Sequence, residues 1–147
     1  GLGLYNLTIY GKNNFNDIKM SDSVEMNISS QMTVKDFRLT LKDQAKFIGS
    51  VVSDKIWIDM AQKSKANLLG KSDLAYIQIA DTASIISPYW FVQNLEIVSK
   101  NQNYTEVNVE KELSGSITNT SKLNYYGNPE KKIKVNEKAL IEQKQLN

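Results

Sequence analysis

Few residues in this chain could do chemistry. Cysteine and histidine are both absent, which removes the thiol nucleophile, the thiolate metal site and the usual general base near neutral pH. Carboxylates, lysines, hydroxyls and a single guanidinium, Arg38, remain. Three groupings of them could act. Arg38, Trp57 and Tyr76 recur 19 residues apart, a spacing that would align them as an outward aromatic ladder flanked by the guanidinium. Exposed aromatics with arginine are enriched at interfaces, and flat rings also suit sugars; the competing reading is a cross-strand pair that only stabilises a sheet face. Asp22 and Asp43 could share a divalent cation such as calcium, which accepts carboxylate oxygens in flexible geometry. Gln62 interrupts that series and no glycine-rich calcium repeat is present, so the preferred reading is solvated turn residues and no metal. Arg38 with Asp59 is the one basic and acidic pairing suited to a polysaccharide lyase. The expectation is that no cleft collects them with a lysine around a space for a sugar.

These residues are positioned by an internal repeat. An apolar residue opening an alternating pair recurs at Ile18, Leu39, Ile58, Ile77, Ile97, Gly115 and Ile133, a period of 18–21 residues typical of a solenoid. Two residues further on stand Met20, Leu41, Met60, Ile79, Ser99, Ile117 and Val135. Eight residues after each anchor come Met26, Phe47, Ala66, Ile85, Thr105, Leu123 and Ile141. Only Gly115, Ser99 and Thr105 break these columns, and alternation by two excludes an amphipathic helix. Each unit therefore reads as strand, corner, strand.

The corner column is Asp22, Asp43, Gln62, Asp81, Asn101, Asn119 and Glu137. Aspartate and asparagine tolerate left-handed backbone and suit a sharp corner; Gln62 and Glu137 suit it less well. Small residues follow two positions later, and Gly49, Gly70, Pro88 and Gly127-Asn128-Pro129 break the far side. A β-sandwich would also give regular strands, but it does not require the same column chemistry in every unit. The fold class read from the sequence is all-β: a single-stranded β-solenoid (β-helix or β-roll) of about seven coils. One domain spans 1–147, with a lysine-rich terminal coil at 130–147 whose charges protect an open sheet edge. Pro88-Tyr89-Trp90-Phe91-Val92 is the densest aromatic segment and is expected to pack on its own coil.

A net charge of +2 with one arginine is poor equipment for nucleic acid. No apolar run reaches membrane-spanning length, and Gly1-Leu2-Gly3-Leu4-Tyr5 has neither the basic region nor the apolar stretch of a signal peptide; an export signal is expected to have been removed or never to have existed. The Asn-x-Ser/Thr triplets at Asn6, Asn27, Asn103 and Asn119 read as turn and strand chemistry.

Phe15-Asn16-Asp17-Ile18, followed by Met20, Ser21, Val24 and Met26, is similar to the opening strand pair of the bacterial head GIN domain family. Leu123-Asn124-Tyr125-Tyr126-Gly127-Asn128-Pro129 resembles its closing repeat. The corners depart from the Gly-Ser-Gly or Gly-Ala-Ser of that family, with Asp43-Gln44-Ala45, Asp81-Thr82-Ala83 and Asn119-Thr120-Ser121 in their place. The resemblance implies an exported cell-envelope protein, periplasmic or surface-displayed, described as autotransporter-like and adhesive. It carries over no catalytic residue and no cofactor. The expected function is a non-enzymatic surface module contacting a glycan or protein, with Arg38, Trp57 and Tyr76 as binding residues and a homo-oligomer as a further option. The alternatives are a carbohydrate-active enzyme of lyase type and a structural solenoid that assembles through its sheet edges.

Overall fold

In the computed structural model, which describes residues 2–7 and 13–146, the chain winds into a parallel β-solenoid of about seven turns. Gly1, and the side chain of Asn6 with its triplet, lie outside the described residues. The strands are β1 (Leu2–Leu7), β2 (Asn13–Met20), β3 (Ser23–Leu41), β4 (Lys46–Met60), β5 (Lys65–Ile79), β6 (Ser84–Ser99), β7 (Tyr104–Ile117), β8 (Lys122–Tyr126), β9 (Glu130–Val135) and β10 (Leu140–Gln143). Each long strand spans two arms joined by a bend, and each arm pairs in parallel with the same arm of the next coil.

The register matches the columns read from the sequence. Ile18, Leu39, Ile58, Ile77, Ile97, Gly115 and Ile133 are successive partners, and so are the columns two and eight residues later. Leu39, Ile58, Ile77 and Ile97 stack as one buried ladder with Leu41, Met60 and Ile79 beside it. Two of the three exceptions, Gly115 and Ser99, have local causes. Gly115 has φ +108°, and a Cβ there would lie 2.0 Å from the carbonyl oxygen of Ile97, so no side chain fits. The Ser99 hydroxyl is hydrogen-bonded to Asn103 Oδ1, and Asn103 in turn donates to the Ile79 carbonyl. Thr105 keeps a buried hydroxyl with no partner.

The corner residues all adopt left-handed backbone, with φ from 56° at Glu137 to 77° at Asn101. Gln62 and Glu137, read from sequence as poor fits, are conformationally the same as the rest at φ 60° and 56°. The reason is a ladder of side chains running along the corner. Asp43 Oδ2 accepts the amide N–H of Asp22 at 2.8 Å, Gln62 Oε1 that of Asp43 at 2.6 Å, and Asp81 Oδ2 that of Gln62 at 2.8 Å. Asn101 and Asn119 continue it at 3.1 and 3.0 Å, and Glu137 ends it by accepting from the Asn119 side chain at 2.9 Å. What the column requires is an oxygen at the end of the side chain, and Gln and Glu supply one.

The aromatic segment divides. Trp90 is fully buried and its indole N–H donates to Ser72 Oγ at 3.1 Å, whereas Tyr89 is 51% exposed. Three residues bulge out between the Ser87–Val107 and Phe91–Asn108 pairings, which turns Trp90 inward and Tyr89 outward. In the terminal coil Lys131, Lys132, Lys134 and Lys138 are exposed; Lys132 pairs with Glu112 at 3.6 Å and Lys144 with Glu142 at 3.3 Å.

Removing a buried branched side chain leaves a cavity, so Ile77→Ala is expected to lower unfolding free energy by about 2 to 5 kcal/mol, whereas the exposed Lys134→Ala leaves it unchanged; chemical denaturation measures both. Along the corner, Asp81→Ala removes the acceptor for Gln62 and is expected to cost about 1 kcal/mol. Asp81→Asn keeps that acceptor, as Asn101 does, and its denaturation midpoint should stay close to that of the parent chain.

Candidate binding face

The outward column one residue before each anchor contains Asp17, Arg38, Trp57, Tyr76, Glu96, Ser114 and Lys132 as in-register neighbours. Trp57 lies between buried Ile56 and Ile58, so strand alternation turns its indole outward; Tyr76 is placed the same way between Ala75 and Ile77. The two rings stack with centroids 6.0 Å apart and planes 15° from parallel, within the usual range for offset aromatic pairs. On the opposite side of Trp57 the Arg38 guanidinium sits over the ring at 5.6 Å from its centroid. Trp57 and Tyr76 are half-buried and Arg38 is exposed.

The sandwich changes what the ladder can offer. Arg38 covers one face of Trp57 and Tyr76 the other, so the flat indole face is not free for a sugar. What it turns outward is the ring edge, which carries the positive end of the aromatic quadrupole.

Alongside runs a groove of about 400 Å³ lined by Lys19, Arg38, Thr40, Lys42, Trp57, Ile58, Asp59, Tyr76 and Gln78. The expectation that no cleft would gather Arg38, Asp59 and a lysine is therefore incorrect. Strand register explains the gathering: Lys19, Thr40, Asp59 and Gln78 are successive neighbours in the next outward column. Arg38 and Lys42 flank Thr40 at two residues on either side. Three cations thus surround one threonine, and the sequence columns, followed outward as well as inward, contain that signal. Across the aromatic ridge a smaller groove of about 280 Å³ is lined by residues including Tyr76, Asn94, Glu96, Glu112 and Ser114.

The early corners also border a trough of about 410 Å³, lined by residues including Asp22, Asp43, Gln62 and Lys63. Asp43 and Asp81 already accept backbone amides, and among the described residues no cluster of three or more potential metal ligands occurs. A trough of about 720 Å³ follows the later corners, lined by Asp81, Thr82, Asn101, Gln102, Asn119, Thr120, Glu137 and Lys138; several of these are the rungs of the corner ladder.

On the other arm Tyr104 donates to Glu106 at 2.8 Å and accepts from Asn124 Nδ2 at 2.8 Å. Partial burial, followed by the hydrogen bond and charge of Glu106, pushes the Tyr104 phenol up to about 12; burial and Glu106 also raise Tyr126.

The head GIN domain family, described as "Putative auto-transporter adhesin, head GIN domain", matches residues 4–129. The chain belongs to this family. Among solved structures it is similar to a "putative adhesin" from Parabacteroides merdae, at 18% identity and a TM-score of 0.84, covering 90% of this chain and 56% of that one. A "putative adhesin" from Parabacteroides distasonis matches at 15% identity and a TM-score of 0.86, covering 97% and 64%. A "Putative lipid binding protein" from the same species matches at 14% and 0.80, covering 98% and 59%. At these identities the likeness is one of fold, and this head GIN solenoid spans about 56% to 64% of the length of those proteins. No curated protein matches the sequence. Among the described residues no helix is long and apolar enough to cross a membrane.

Because Tyr104 holds its proton more tightly when folded, its contribution to stability is intact below the unfolded phenol value of about 10 and is lost as pH rises toward its folded value of about 12. Glu106→Gln is expected to bring the phenolate transition of Tyr104 down, read as ultraviolet phenolate absorbance against pH, and to flatten the alkaline loss of stability.

Proposed function

We propose that this head GIN domain is a non-enzymatic module of an exported cell-envelope or surface protein, and that it engages a glycan or protein partner through the outward face centred on Arg38, Trp57 and Tyr76. The observation that carries the reading is the stacked ladder itself. Two large rings are held half-exposed at in-register positions of neighbouring coils, beside a groove of about 400 Å³. That volume falls within the range of roughly 300–1,000 Å³ typical of ligand pockets. The polar corners, by comparison, have much of their hydrogen-bonding capacity taken up along the rod. Membership of an adhesin-like family agrees with a module that binds.

The groove also gives a specific basis for a second reading, a lyase acting on acidic polysaccharide, because Arg38, Lys19, Lys42 and Asp59 share it. All four side chains are exposed. An elimination site gains most from groups that are desolvated and fixed, so this arrangement favours binding over turnover.

Replacing Trp57 and Tyr76 together by serine is expected to abolish binding to glycan-array or host-protein partners while lowering the melting temperature only modestly, since a cross-strand aromatic pair contributes roughly 0.2 to 1 kcal/mol. Unchanged binding with a large loss of stability would make the pair structural and remove the interface. Cleavage of acidic polysaccharide by the purified chain, abolished by Arg38→Ala, would replace binding with catalysis.

A further inference from the structure

Resting on that reading of the face, we infer that the groove beside the ladder takes a carboxylated carbohydrate, its carboxylate held among Lys19, Arg38 and Lys42. Charge complementarity is the first argument. Ion pairs within 4.0 Å among the described residues are limited to Lys132–Glu112 and Lys144–Glu142, so the three groove cations have no ion-pair partner. Arg38 on β3 and Lys42 just beyond its end stand two residues either side of Thr40, and Lys19 lies beside Thr40 on the preceding coil, so all three line the same groove.

The aromatic wall points the same way. With Arg38 over one face of Trp57 and Tyr76 against the other, the indole is left to meet a ligand in the groove by its edge, the electropositive part of an aromatic ring. An edge favours oxygen-rich and anionic ligands, whereas a free face would favour the apolar side of a neutral sugar.

The remaining lining distinguishes a sugar from a bare anion. Asp59 enters the same groove, where it opposes any anion but accepts hydrogen bonds from hydroxyls. Thr40 and Gln78 each offer both a donor and an acceptor. A ring carrying hydroxyls and one carboxylate uses all of these groups, while an inorganic anion leaves Asp59 opposed to it.

The test is calorimetric titration of the chain with four probes: short oligogalacturonates, a sialylated oligosaccharide, methyl-esterified oligogalacturonate and an acidic peptide of matched charge. Binding of either carboxylated sugar, weakening as salt rises, is expected, and whichever binds identifies the sugar acid. The methyl ester should not bind. Arg38→Ala should weaken the complex about tenfold or more, as for loss of a hydrogen bond to a charged group. Lys42→Ala should act in the same direction without disturbing the ring stack, and Asp59→Asn, which keeps an acceptor but removes the opposing charge, should tighten it. Equal binding of the ester or the peptide, no binding of either acidic sugar, or a weaker complex with Asp59→Asn would overturn the assignment. If another partner binds and is lost in the Trp57/Tyr76 double serine variant while no acidic sugar binds, the ligand class falls and the interface stands. If the double variant alters no binding at all, both fall.

Discussion

Each coil turns on a residue held in left-handed backbone, a conformation that costs an ordinary L-residue roughly 1–2 kcal/mol. The chain takes it at all seven corners from Asp22 to Glu137. It is tolerable because the corner is where successive coils are tied together. The carbonyl of each corner residue from Asp22 to Asn119 accepts from an amide on the next coil, as in Gln44 N–H to Asp22 and Lys63 N–H to Asp43 at 3.0 and 2.8 Å. From Asp22 to Asn101 the corner amide donates to the next corner's side chain. Both main-chain groups of these sharp bends are thus satisfied without water. With the corners aligned, the two arms must stack in register, and the aliphatic columns are brought over one another as a consequence.

That dependence explains what could be read from the sequence. The three apolar columns and the corner column follow from a period set by geometry, and the strand register reproduces them residue for residue. Gln62 and Glu137 were harder to place because local conformational preference, the basis for favouring Asp and Asn, is only part of the requirement. The longer side chains satisfy the other part, an oxygen that reaches the neighbouring coil. Gly115 looked like a lapse in the core pattern and is instead a point where the preceding coil's carbonyl leaves no room for a Cβ. The split between Trp90 and Tyr89 was not legible, since a bulge adds residues to one strand alone and shifts the inward and outward parity beyond it.

The candidate face was legible as a column and not as a shape. Arg38, Trp57 and Tyr76 meet as their spacing implies, yet the groove beside them depends on Lys19, Lys42 and Asp59, which belong to other outward positions. Inward columns announce themselves through shared chemistry. Outward columns have no common chemistry to find, so their neighbours must be traced through the register fixed by the core.

The same asymmetry separates stability from specificity in this solenoid. A substitution in an inward column meets a neighbour on each adjacent coil and a packed interior with no spare volume, and a substitution at a corner must still supply a reaching oxygen. An outward position meets only solvent and its rung neighbours, so it can change from Asp17 to Arg38 to Trp57 to Tyr76 to Glu96 along one column without disturbing the winding. Charge consequently changes sign within a few rungs of about 4.8 Å, from the cationic groove at Lys19, Arg38 and Lys42, across the aromatic ridge, to the acidic groove at Glu96 and Glu112. A ligand lying along the rod axis therefore meets a sequence of unlike contacts at fixed spacing. Such a surface sets out unlike groups in a fixed order along the rod, which a single pocket does not.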